Sequence, residues 1–303
     1  KAQLDSSVSD ATRYSKATGN GDGSDDAQAT GQYATASGSG AYAGADGASA
    51  FGSGAVATGS NATATGSGSV ATGQNSAAYG AGAQASGPAS VAVGGVAVNE
   101  DGDPLVTHQG VPVDTAATTA AVGGTAVGAS AQAGGFASSA IGVGAYASGA
   151  QGTAVGAVAN AIGDYSTAVG TQSAATGASS VAVGESSQAT GEESVAVGGT
   201  AYGGFIPTIA SGIGSSAFGA GAWGTADYST AIGWSSTADH LNATAVGANA
   251  GALDVGAVAV GFLSRAIGVQ TTTVGTNSFV WGDNASAYGS NTSVSGNNAT
   301  GLG

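Results

Sequence analysis

The stretch TAVGAVANAIGDYSTAVGTQSAATGASSVAVG, Thr153–Gly184, decides how the rest of the chain is read. Its AVG-type glycines, Gly156, Gly170 and Gly184, are fourteen residues apart, and second marks fall halfway, at Gly163 and Gly177. Extended in both directions, the beat takes in Gly128, Gly142 and Gly198, with half-marks at Gly135, Gly149 and Gly191. A seven-residue beat inside a fourteen-residue one predicts a solenoid whose coils each hold two short strands and two tight turns.

The same period appears on either side. Gly38, Gly52, Gly66, Gly80 and Gly94 keep it, as do Gly219, Gly233, Gly247, Gly261, Gly275, Gly289 and Gly303. It breaks twice. Gly94 to Gly128 is thirty-four residues, best read as one repeat plus an insertion. There VAV (Val96–Val98) and LVT (Leu105–Thr107) flank NEDGDP and predict a β-hairpin with an acidic tip. Gly198 to Gly219 is twenty-one residues and contains Pro207, which cannot donate a ladder hydrogen bond, so a loop is expected. The resulting blocks are an irregular start with degenerate repeats (1–30), β-roll (31–94), inserted hairpin and return (95–123), β-roll (124–198), inserted loop (199–214) and β-roll (215–303).

Aligned on the AVG-type glycine, the repeats form columns, and neighbouring columns of a strand face opposite ways. Ala stands two before the glycine (Ala154, Ala182, Ala231) and five after it (Ala161, Ala175, Ala189). On the second strand the columns beside Ala are mostly polar, as at Asn160, Thr176 and Gln188, so there Ala must point inward. A coil this short leaves little room for more than a second Ala opposite. The branched column one before the glycine then points out: Val93, Val127, Ile141, Val155, Val169, Val183, Val197, Ile232, Val246, Val260 and Val274. So long an apolar stripe needs cover. A homo-oligomer with the stripe on its axis, three chains fitting well, is the expected answer.

Composition excludes several functions. The 303 residues include 57 Gly and no Cys, and only 7% are charged, with a net charge of -14. Lys1, Arg13, Lys16 and Arg265 are the only basic residues, too few for a nucleic-acid surface. Without cysteine there are no disulfides or thiolate metal sites. No apolar run is long enough to span a bilayer, so direct membrane insertion by this chain is not expected. The acidic run GNGDGSDD (Gly19–Asp26), between the degenerate marks KATG and QATG, lacks calcium-loop spacing and reads as a solvated turn. His108, near Asp101 and Asp103, and His240, after Asp239, do not form a catalytic or metal constellation. No enzyme activity and no cofactor are expected. The Asn-Ala-Thr triplets at Asn61, Asn242 and Asn298 read as products of the repeat alphabet.

The pentads SVAVG at Ser90–Gly94, Ser180–Gly184 and Ser194–Gly198, with STAVG at Ser166–Gly170 and STAIG at Ser229–Gly233, resemble the head repeat of the YadA-like trimeric autotransporter adhesins. The resemblance covers roughly residues 31–303. It implies an all-β, left-handed parallel β-roll, intertwined as a homotrimer and exposed at the cell surface on the Gram-negative outer membrane. It also implies attachment to host extracellular-matrix or cell-surface molecules and to other bacterial cells. The family's coiled-coil stalk and C-terminal membrane barrel are not in this sequence, and the two insertions depart from the plain repeat.

Three features are candidate contact surfaces: the hairpin tip with Glu100, Asp101 and Asp103; the loop carrying Tyr202, Phe205, Ile206 and Ile209, expected to pack on a neighbouring chain; and a cluster of Leu253, Ile267, Phe279 and Trp281. Each could instead be a tolerated loop or a face covered by another subunit. Two other functions remain open at this point. One is a purely structural spacer. The other is carbohydrate or ice binding through a threonine ladder, Thr125, Thr153, Thr167, Thr230 and Thr244, which Val181, Val195 and Val258 interrupt.

Overall fold

The computed structural model describes residues 20, 22–99, 101–104, 107–108, 111–112 and 116–303. KATG at Lys16–Gly19, Glu100, Leu105 and most of the irregular start lie outside them. The chain forms two compact units, one of Lys1–Leu105 with Asp114–Ser130, the other of Val106–Val113 with Ala131–Gly303. Each is a parallel β-solenoid, and no helix occurs among the described residues.

In a plain coil of the second unit, the three-residue strand Thr167–Val169 is followed by the two-residue strand Ala174–Ala175, and the next coil repeats them as Val181–Val183 and Gln188–Ala189. Pairing is parallel and shifted by one repeat: Ala168 lies beside Ala182, and Ala175 beside Ala189. The first unit stacks in the same way, as in Ala64 beside Ala78. β-Branched Thr, Val and Ile on the first strands suit this pleated geometry.

The corners explain the strict period. The second and ninth residues after the AVG-type glycine sit in the left-handed region, whatever their type: Gln172 at φ 58°, Ser179 at 55°, Ser186 at 55° and Glu193 at 56°. This conformation is costly for L-residues. It is held because each such N–H reaches the previous coil: Gln172 donates to the Ala157 carbonyl at 2.9 Å and Ser186 to Thr171 at 2.9 Å. Asn tolerates the left-handed region better than most residues, and Asn61, Asn242 and Asn298 all occupy it. Turn geometry thus accounts for the Asn of the Asn-Ala-Thr triplets. Gly170 itself has φ 131°, and a Cβ there would lie 2.6 Å from the Gly184 carbonyl oxygen. No side chain fits that position.

The interior is made of small side chains. Ala154, Ala168, Ala182, Ala161, Ala175 and Ala189 are completely buried, as are Ser166, Ser173, Ser180, Ser187 and Ser194. Several serines close their own turn, Ser187 Oγ donating to the Gly184 carbonyl at 3.0 Å and Ser194 Oγ to Gly191 at 2.7 Å. The branched column lies on the outside. Val93, Val127, Ile141, Ile232 and Val274 are exposed, and Val155, Val169, Val183, Val197, Val246 and Val260 are half-buried.

Both insertions leave the coil at one corner and return without disturbing the register. Across the first, Ala92 pairs with Ala126 and Gln84 with Thr119. Across the second, Ala196 pairs with Ala217 and Gln188 with Ile209. Gly94 to Gly128 is therefore one coil with an insertion. Each return is made by a fully buried threonine. The Thr118 hydroxyl lies 2.9 Å from the Gly95 carbonyl, where the chain leaves, and 2.8 Å from that of Gly128 in the next coil. Thr208 repeats this with Gly199 at 2.8 Å and Gly219 at 2.7 Å.

Candidate recognition surfaces

In the first insertion the antiparallel pairing differs from the predicted hairpin. Val98 makes a single bridge to Pro104, with the turn closed by Asn99 Oδ1, which accepts the N–H groups of Asp101 at 3.0 Å and Asp103 at 2.8 Å. Thr107 does not return to Val96–Val98 but pairs with Pro112 in a separate short ladder, Thr107–His108 against Val111–Pro112. Among the described residues no longer ladder follows this turn, and Pro104 has no N–H to extend one. Asp101 and Asp103 are exposed. Glu100, the third member of the acidic tip, lies outside the described residues.

The second insertion is pinched by a bridge between Ala201 and Ile206. Its aromatic rings lie outward: Phe205 is 85% exposed, and Tyr202 packs on Trp234 with ring centroids 4.6 Å apart. Trp223 Nε1 donates to the Pro207 carbonyl at 3.0 Å and pins the loop's far end. Ile209 belongs to the strand Ile209–Ala210 and not to the loop. Trp223 stands in a column of mixed character, which holds Gln132 and Asn160 but also Val56, Tyr146 and Phe279 in other coils, and Trp234 stands in one filled mostly by Ser, Ala and Thr, so neither is marked out by the repeat.

The third cluster lies on the second strands near the C-terminal end. Ile267 and Trp281 are direct neighbours on adjacent strands, and the Phe279 ring meets that of Trp281 edge-on at 6.5 Å. Leu253 stands one coil before Ile267, its N–H donating to the Ala266 carbonyl at 2.9 Å, and its side chain also lies near Gly251, in a shallow hollow shared with Arg265. Beside Ile267 and Trp281 runs an open groove of roughly 530 Å³, whose lining also includes Asp254, Asp283 and Asn297.

His240 Nδ1 lies 2.8 Å from Asp239 Oδ1 on the surface, an isolated contact between sequence neighbours. Among the described residues no three His, Cys, Asp or Glu side chains gather as metal ligands would, and no helix is long and apolar enough to cross a membrane.

A parallel β-solenoid with an alanine-filled interior and a branched outer column is the class of protein defined here. The head-repeat model of the YadA family matches it in overlapping copies over 29–55, 43–69, 54–76 and 71–97, over 133–159, 147–173, 161–184 and 175–201, and over 210–236 and 241–264. These segments cover well over half of the chain, which therefore belongs to the YadA head family. Among solved structures, the collagen-binding domain of the Yersinia adhesin YadA is 30% identical, with 46% of this chain and 65% of that one covered and a TM-score of 0.32. A comparison with curated protein sequences found no match.

Proposed function

We propose that this chain is a non-enzymatic adhesin head that works as a homotrimer, with Val93, Val127, Ile141, Val155, Val169, Val183, Val197, Ile232, Val246, Val260 and Val274 on the trimer axis. In this reading the head stands at the cell surface, held by a stalk and outer-membrane barrel of the kind the family carries. It attaches cells to extracellular-matrix or host-surface molecules, collagen among them, and to other bacterial cells in autoagglutination and biofilm. Three identical faces on one particle would raise avidity without new contacts.

One observation carries this reading: the outward branched column beside a lumen of alanine. Fully burying a Val or Ile side chain contributes roughly 1.5–3 kcal/mol, and Ala far less. The larger apolar gain is left on the outside of each solenoid, where association can collect it.

Light scattering of the pure protein tests the proposal and should give three chains per particle. The double substitution Val155→Asp and Val169→Asp should yield single chains and abolish attachment to collagen-, fibronectin- or laminin-coated surfaces. One chain per particle for the unsubstituted protein would end the trimer reading.

A further inference from the structure

The groove beside Trp281 is built by a change in the coil. In plain coils the second strand has two residues, and its half-mark N–H points forward, as Gly177 donates to the Ala189 carbonyl at 3.4 Å. From Arg265 onward the second strands have three residues, Arg265–Ile267, Phe279–Trp281 and Ser293–Ser295. Their half-mark glycines flip to φ 129° at Gly268, 134° at Gly282 and 105° at Gly296. The Gly282 N–H now donates back to Ile267 at 3.0 Å. A Cβ on Gly282 would stand 2.6 Å from the Gly296 carbonyl carbon, so these glycines form a bare floor.

Trp281, 65% exposed, stands on one side of that floor. The polar groups of the lining are held by backbone. Asp283 Oδ1 accepts the Val269 N–H at 2.9 Å, Asn297 Oδ1 accepts the Asp283 N–H at 3.0 Å, and Asp254 Oδ1 accepts the Val255 N–H at 2.8 Å. Asp283 keeps its second oxygen as an acceptor, and Asn297 keeps its amide NH₂ as a donor. An oriented acceptor and donor lining the same groove as an aromatic surface fit a small ligand that is apolar on one face and hydroxylated at its edge. Asp254 and Asp283 in the lining, with a net charge of -14 on the chain, disfavour an anionic ligand.

We infer that this groove binds a neutral pyranose unit of a glycan, with the sugar's C–H face on the Trp281 indole and adjacent hydroxyls on Asp283 and Asn297. The site lies on the second strand, not in the branched column of the first, and is formed by this chain's own residues. It is also distinct from the threonine ladder of the first strand.

Saturation-transfer NMR on the whole chain with lactose, maltotriose and N,N′-diacetylchitobiose tests the inference. At least one of these should bind in the millimolar range, and Trp281→Ala and Asp283→Asn should each weaken it about tenfold. Trp281 is exposed, and Asn at 283 keeps the acceptor for Val269, so neither change touches the lumen. Trp234→Ala should leave binding unchanged, and sialyllactose should bind more weakly than lactose. No binding of any neutral sugar, equal binding by Trp281→Ala, or tighter binding of sialyllactose would overturn the inference. Particle mass and matrix attachment are read separately, so failure here would not bear on the adhesin proposal.

Discussion

Two stretches of the second unit use the same fourteen-residue count differently. Between Gly142 and Gly198 a three-residue strand alternates with a two-residue one, and the lumen holds only Ala and Ser in the columns from Ala154 to Ala196. Between Gly261 and Gly303 both strands have three residues, and Thr273, Val280 and Val294 are buried where plain coils place Ala. Val280 and Val294 form one apolar cluster with Ala285 and Ala287. The coil gains strand length by converting its second turn into a copy of the first, and the larger lumen side chains accompany that change. The first flipped coil, with Gly268, still keeps Ala266 in the lumen, and the larger residues enter at Val280 and Val294 in the next two second strands.

The largest expected effect concerns the turn that both stretches share. Gly170→Ala should cost roughly 3 kcal/mol or more, combining an unfavourable φ with a clash against the Gly184 carbonyl. Gly256→Ala, at φ 64° with its nearest neighbour 3.6 Å away, should cost about 1 kcal/mol. Urea midpoints of the two variants would separate them, and equal losses would refute the stacked-glycine account.

The lumen comes next. Val280→Ala should lose roughly 2 kcal/mol by leaving a cavity. Ala175→Val, the reverse change in a plain coil, should also destabilise, by roughly 1–3 kcal/mol through overpacking. A neutral Ala175→Val in thermal unfolding would mean that the plain lumen has room to spare, and the contrast would dissolve.

The insertions are a milder probe. Thr208→Val should cost roughly 1–2 kcal/mol, because no hydroxyl would then serve the Gly199 and Gly219 carbonyls where the loop rejoins. The excess should appear as faster proteolysis within the loop.

The smallest effect lies at the first coil. Asp25 accepts the Ser39 hydroxyl and the Asn20 N–H, and these bonds hold its carboxyl below the ordinary carboxylate range. A depressed folded-state value means that this contribution is present above the unfolded pKa of about 4 and is lost as pH falls through the folded value. The protection of the Asn20 amide, measured against its intrinsic exchange rate at each pH, should therefore fall on acidification in the native chain and show no such fall in Asp25→Asn.

Much of this architecture was legible in the residues. Ala154 and Val155 are adjacent, and strand alternation sends one in and the other out once the polar columns are assigned to water. The two departures from the period located both insertions. The groove was only half legible. Ile267 and Trp281 stood one repeat apart in an outward column, but Asp254, Asp283 and Asn297 resembled ordinary turn residues. Gly282 looked no different from Gly177, because a glycine in sequence does not disclose the sign of its φ.

What the amino-acid order alone determined was the period, the parallel stacking and the inward or outward sense of each column, because these follow from side-chain size and from alternation at every repeat. What only the tertiary structure decided was which glycines flip, where Thr118 and Thr208 close the insertions, and which polar atoms remain free beside Trp281. Those outcomes depend mostly on hydrogen bonds between residues nine or more positions apart, and such bonds leave no mark on local sequence.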